Sequence, residues 1–205
     1  MTQNIVTNTI CATGIALSEP QLSHCVYAER FYAFTLRVKR LSGAFDELCC
    51  IIPEKLKPGV KEGELIEVYG QIRSYNREVE GANRLEIKLF IKDVFPAEQD
   101  NCTNDAMLCG YICKTPIYRV TPFGREIADM LLAVNRAYNK SDYIPVIAWG
   151  RNARICANYA VGDKIAVHGR LQSRRYEKVT EGHTIVRTAY ELSACMVELV
   201  SESEL

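Results

Sequence analysis

Two short segments of this chain put aromatic rings and guanidiniums on a common side of extended backbone. Side chains alternate along a strand, so in Tyr143–Trp149 (YIPVIAW) Ile144, Val146 and Ala148 point one way while Tyr143 and Trp149 point the other. In Ile165–Tyr176, Ile165, Val167, Gly169 and Leu171 form the apolar set, and His168, Arg170, Gln172, Arg174 and Tyr176 form the polar one. Strand aromatics usually fill cores, but these share parity with arginines rather than with aliphatic side chains. Such a face suits single-stranded nucleic acid. Each ring can stack on a base for about 1–3 kcal/mol whatever the sequence, while cations follow the phosphates.

The charge distribution agrees. The whole chain is neutral, with 25 basic and 25 acidic side chains in 205 residues. Residues 1–100 carry 12 basic against 14 acidic groups, whereas 108–178 carry 12 against 5, so the basic footprint of a polyanion partner belongs to the second half. The nine cysteines include Cys49-Cys50 and a Cys109/Cys113 pair but no CxxC, and there are three histidines. That pattern predicts reduced, mostly buried thiols and no metal site or cofactor. No Ser/His/Asp set, P-loop or flanked carboxylate pair argues for an enzyme. The first residues, MTQNIV, lack a basic segment followed by an apolar one, and no run of 18 apolar residues occurs, so a cytoplasmic protein without a membrane span is expected.

The elements that position these residues occur twice. Phe34–Arg40 lines up with Met130–Arg136, Glu62–Ser74 with Val161–Ser173, and Arg84–Val94 with Arg187–Val197, at offsets of 96, 99 and 103. Offsets that grow in order are what two copies of one domain acquire through small loop insertions. The polar stretch Pro96–Asp105 (PAEQDNCTND) reads as the linker, dividing the chain into 1–100 and 101–205. Within each copy, β-branched and aromatic residues alternate with polar ones over five to eight positions, the pattern of strands. One short helix is predicted at Arg151–Tyr159, before Gly162, between the third and fourth strands of copy two. At that place copy one has Pro53–Pro58, which permits only a turn or so. The expected class is all-β: two tandem five-stranded OB-fold barrels, a fold whose face and loops bind oligonucleotides or oligosaccharides.

Pro116–Gly124 (PIYRVTPFG), Ile127–Arg136 (IADMLLAVNR), Tyr143–Gly150 (YIPVIAWG), Val161–Asp163 (VGD) and Val167–Tyr176 (VHGRLQSRRY) together resemble, in order, the bacterial single-stranded DNA-binding protein family. The resemblance spans most of residues 107 to 199. It implies base stacking on Tyr138, Tyr143, Trp149 and Tyr176, three of which the parity argument selects independently. It also implies a basic position at Arg119 and binding arginines at Arg170 and Arg174; Arg136, Lys140 and Lys178 join as loop contributors by proximity. The implied role is sequence-independent coating and protection of single-stranded DNA in replication, recombination or repair. Family assemblies hold four OB folds, so a two-fold chain is expected to form a homodimer.

Two departures qualify the resemblance. The family's Gly/Pro-rich tail with an acidic, Phe-terminated tip is replaced by Ser201–Leu205 (SESEL), so recruitment of replication or repair proteins by that route is not expected. This keeps an alternative open, an accessory OB protein of primosome or recombination type that acts mainly through protein partners. In copy one, the positions matching Tyr143, Trp149 and Tyr176 hold Asp46 or Glu47, Ile52 or Pro53, and Arg77. Its fourth strand still offers Tyr69, Arg73, Tyr75 and Arg77 opposite Ile66, Val68 and Ile72, with Arg37 and Lys39 nearby. Either weak binding through Arg73, Tyr75 and Arg77 or a purely assembling role follows.

Overall fold

The computed structural model describes residues 7–79, 82–180 and 183–200. The first half contains β1 (Asn8–Ala16), β2 (Gln21–Val26), β3 (Glu29–Lys39), β4 (Phe45–Pro53), a 3-10 helix (Glu54–Gly59), β5 (Leu65–Val79) and β6 (Ala82–Pro96). The second repeats the order with β7 (Asn104–Ile112), β8 (Ile117–Val120), β9 (Glu126–Arg136), β10 (Lys140–Trp149), helix α1 (Arg151–Cys156), β11 (Lys164–Thr180) and β12 (His183–Leu199). The all-β class stated above holds.

Pairing closes a ring in each half. In the first, β1 pairs with β3, β3 with β4, β4 in parallel with β6, β6 with β5, and β5 with β1. In the second, β7, β9, β10, β12 and β11 pair in the same cycle, with β10–β12 the parallel contact. The apolar parity predicted from the sequence turns inward: Ile144, Val146, Ala148, Ile165, Val167 and Leu171 are all at most 2% exposed. Gly169 lies at the register shift between β11 and β12, and a Cβ there would run into the Ser193 carbonyl; Gly70 meets the Phe90 carbonyl in the same way.

Three expectations need correction. Each half has a sixth strand outside its ring, β2 on β3 and β8 on β9. Every residue of β2 and β8 is exposed, so neither carries the buried-face alternation by which strands are read. The last two strands of each half run 15 or 17 residues rather than five to eight. Their outer arms pair residue by residue out to Val79↔Ala82 and Thr180↔His183, beyond the core that sets the pattern. The linker is shorter than Pro96–Asp105, because Asn104 is buried and already belongs to β7.

Asn104 is buried for a reason. Its amide donates to the Leu171 carbonyl at 2.8 Å and accepts from the Leu171 N–H at 2.9 Å. Asn8 clamps Ile72 likewise, at 2.7 and 2.8 Å, so each half fastens its first strand to its own long hairpin. The first strands then pair with each other, antiparallel from Asn8↔Leu108 to Ala12↔Asn104, with Ile10↔Ala106 at the centre. Ile10 and Ala106 are 96 positions apart, the offset of the repeat, so the two halves are related by a local two-fold through this pair.

Short connections follow their residue types. Helix α1 ends at Cys156 rather than Tyr159, burying Ala153 and Cys156, and the backbone then turns through Gly162 at φ 98°. In copy one, Pro58 holds the corresponding segment to a 3-10 turn.

Candidate nucleic-acid interface

The three-residue turn between β9 and β10, Ala137–Asn139, places Tyr138 and Asn139 at φ 62° and 53°, left-handed conformations that short hairpin loops use. Tyr138 therefore stands out at 94% exposure, next to exposed Lys140. Along β10, Tyr143 and Trp149 are 42% and 38% exposed, on the side opposite the buried residues; Ile147 lies on their side but is buried. Trp149 is fixed at its polar end, Nε1 donating to Ser193 Oγ of β12 at 3.0 Å. Tyr176 on β11 is 38% exposed, with the Arg174 guanidinium 5.9 Å from its ring centroid.

Trp149 and Arg174 open onto a groove of about 400 Å³ whose walls include Arg125, Gln172, Glu191 and Ser193, with Arg40 entering from the first half. Burial pushes the Glu191 carboxyl up, a shift that Arg174 opposes. A second groove, of about 560 Å³, runs between the two long hairpins and is lined by Tyr176, Arg187, Arg77 and Arg84. Arg77 and Tyr176 occupy matching positions of the repeat, so the second half's ring meets the first half's cation in one furrow.

The other sites expected from sequence are placed less uniformly. Arg119, exposed on β8, donates to Asp129 at 2.7 Å. Arg170 is half-buried, with one Nη buried and unpartnered among the described residues. The side chain of Lys178 lies outside the described residues, as do Ser201–Leu205. In the first half, Tyr75 is 37% exposed with Lys88 Nζ 5.8 Å from its ring centroid, and Arg77 reaches Glu86 at 3.5 Å. Strand register resolves the two ambiguous matches of copy one. Asp46 pairs with Val38 as Asp142 pairs with Val134, so Glu47 stands for Tyr143 and Pro53 for Trp149.

Arg73 and Arg136 turn inward to a group the sequence reading passed over. The carboxylate of Asp142 is almost wholly buried and faces both guanidiniums at 3.6 Å. It accepts the Ser74 N–H at 2.8 Å, and Ser74 Oγ accepts the Tyr143 N–H at 2.7 Å. The mirror image lies across the two-fold. Buried Asp46 accepts from Arg40 Nε at 2.8 Å and from the Ser173 N–H at 2.6 Å, while Ser173 Oγ accepts the Glu47 N–H at 3.2 Å. Each latch ties one half's hairpin to the other half's middle strand, setting Tyr143 against the first half. A signal was available: Arg40 and Asp46, like Arg136 and Asp142, are six apart, and Ser74 matches Ser173. Phe123, 92% exposed at the β8–β9 tip, and Arg125 in the Trp149 groove were also passed over.

Among the described residues no cluster could hold a metal, and no helix is long and apolar enough to cross a membrane. The nine cysteines are free. Three are buried, four half-buried and two exposed, so "mostly buried" overstates their burial; several sit on outward faces of strands.

Residues 103–200 match the Single-strand binding protein family. A single-stranded DNA-binding protein of Clostridium tetani is 38% identical over 81 residues, 36% of this chain and 56% of that one. One from Bacillus cereus is 40% identical over 81 residues, 36% of this chain and 48% of the relative. The chain thus spans about half the length of the curated relatives it matches. The wild-type single-stranded DNA binding protein from Thermus aquaticus superposes with a TM-score of 0.77 over 95% of this chain and 93% of that one, at 20% identity. A deletion mutant of it scores 0.73. These two likenesses show the fold.

Proposed function

We propose, for a chain whose residues 103–200 match the Single-strand binding protein family, that it binds and protects single-stranded DNA without reading sequence. The carrying observation is that Tyr143, Trp149 and Tyr176 all face outward, each 38–42% exposed, with Arg174 and Arg125 beside Trp149 and Arg174 beside Tyr176. Bases stack on the rings, and cations replace the counterions of the phosphates. Tyr138 extends the set at the hairpin tip. Arg119, Arg170 and Lys140 serve the backbone, and Lys178 lies on the path of β11. Arg136 and Arg73 act indirectly, holding Asp142 and hence the strand that carries Tyr143. No bond is made or broken.

The division of labour in this reading is between residues 101–205, which bind, and 1–100, which assemble. The first half keeps Tyr75 and Arg77 as an auxiliary face, Arg77 sharing a furrow with Tyr176. Two copies of the chain would gather four folds around one strand in the cytoplasm, serving replication, recombination or repair.

The sequence holds one tryptophan, so quenching of its fluorescence by poly-dT reports on Trp149 directly. The expected result is quenching with a log-affinity against log-salt slope of about −0.7 per phosphate neutralised. No quenching, or a preference for duplex, would refute the proposal.

A further inference from the structure

On the outward face of the second half, three side chains from three strands meet. Residues His168↔Met196 and Gly169↔Ala194 pair across β11 and β12, leaving Cys195 as the extra residue of a bulge. A bulge re-aims a side chain, and here it turns the thiol back over β11. The Cys195 thiol donates to the His168 carbonyl oxygen at 3.2 Å, and its Sγ lies 3.6 Å from His168 Nδ1, within reach if the S–H rotates. The other ring nitrogen, Nε2, meets the Asp105 carboxylate of β7. Cys195 is exposed, the His168 side chain is one-third exposed and that of Asp105 more so.

The tautomer follows from the partners. An ionised carboxylate only accepts hydrogen bonds, so Nε2 carries the imidazole proton and Nδ1 presents its lone pair to the sulfur. That is the order of nucleophile, base and orienting carboxylate in which each member is placed by the next. The groove at Trp149 and the latches use none of these three residues, and helix α1 touches only the Cys195 carbonyl oxygen, to which Asn152 Nδ2 donates at 2.9 Å.

We propose that Cys195, His168 and Asp105 form a thiol-reactive centre that exchanges with low-molecular-weight disulfides. His168 Nδ1 takes the thiol proton and Asp105 holds the resulting imidazolium. The Cys195 sulfur attacks one sulfur of the disulfide, forming a protein mixed disulfide as the original S–S bond breaks. The departing thiolate leaves with the proton that His168 carried, so one disulfide and one thiol are consumed and one of each is made. Cys195 and His168 touch the reacting atoms, and Asp105 is a positioning residue. Cys25, exposed on β2, is the internal reference. A thiol without a base beside it is the weaker nucleophile, so a base within reach can raise the rate about tenfold or more.

The test is site-resolved mass spectrometry of the full chain at neutral pH, with oxidised glutathione as the disulfide and iodoacetamide as an irreversible probe. Cys195 is expected to react about tenfold faster than Cys25 with both. His168→Gly should bring Cys195 down to the Cys25 level, and added imidazole should restore the difference, which a merely structural role would not allow. Asp105→Asn should slow Cys195 and Asp105→Glu should retain its rate. A Cys195 no faster than Cys25, a His168→Gly rate equal to that of the parent, or failure of imidazole to rescue overturns the centre. Binding of poly-dT is a separate readout, so the loss of one reading leaves the other standing.

Discussion

Replacing Trp149 by alanine isolates the stacking contribution at the ring that is best fixed. An aromatic side chain presents up to roughly 250 Å², and 38% of it is open at Trp149, leaving roughly 95 Å² for a base to cover. At about 25 cal/mol per Å² full coverage is worth about 2 kcal/mol, or about a 30-fold rise in Kd. The Ser193 hydrogen bond and the packed part of the ring already fix its orientation, so little ordering opposes this gain. Tyr138 is the contrast. At 94% exposure it offers more surface, but one stacked base covers a single face, again worth about 2 kcal/mol, and immobilising a free side chain takes back about 0.5–1.5 kcal/mol, so Tyr138→Ala should cost about fivefold. Fluorescence anisotropy of a labelled oligo-dT at constant salt measures both, since Trp149→Ala removes the intrinsic signal. A Trp149→Ala affinity within twofold of the parent, or a larger loss for Tyr138→Ala than for Trp149→Ala, would show that the exposed-area reasoning is wrong.

Asp142→Ala leaves the Ser74 N–H and two guanidiniums without their buried acceptor, and urea unfolding should show a loss of about 3–5 kcal/mol, with Asp46→Ala similar; a loss under about 1 kcal/mol in both would deny the latches a structural role. In Gly169→Ala the new Cβ runs into the Ser193 carbonyl of β12, so thermal unfolding should shift down by more than Ala substitution at half-buried Ser141 causes. Burial raises the folded pKa of Glu191, so its contribution to stability is complete below the unfolded pKa and is lost as pH rises through the folded one. A strand of phosphates in the same groove favours the neutral carboxyl further. Affinity for oligo-dT should therefore rise as pH falls from neutral into the carboxylate range, and Glu191→Gln should flatten that profile and tighten binding at neutral pH.

The strands that line the core were legible because burial imposes a period of two: Ile144, Val146 and Ala148 turn inward as the alternation requires, and Tyr143 and Trp149 therefore turn outward. Repeat offsets revealed the duplication for the same reason, since matched cores demand matched apolar residues. What escaped notice obeys other rules. Strands β2 and β8 bury nothing, and the hairpin arms reach past the core with mostly exposed side chains, so no buried-face alternation marks them. Arg73 and Arg136 look in sequence like any exposed cations; the repeated six-residue Arg–Asp spacing is a faint signal, and the fold places Asp142 behind both. The bulge that aims Cys195 at His168 is a register slip of one residue, visible in pairing and invisible in composition.

The pairing of Ile10 with Ala106 joins two copies that peptide bonds already hold together. Were the same contact made between separate identical chains, every substitution would appear on both sides at once, and loss of the aromatic set would blind the whole assembly. Tandem linkage breaks that constraint. One copy is free to exchange Tyr143, Trp149 and Tyr176 for Glu47, Pro53 and Arg77 while its twin keeps them, and dilution cannot separate the two. Covalent fusion thus turns a symmetric contact into a licence for asymmetry.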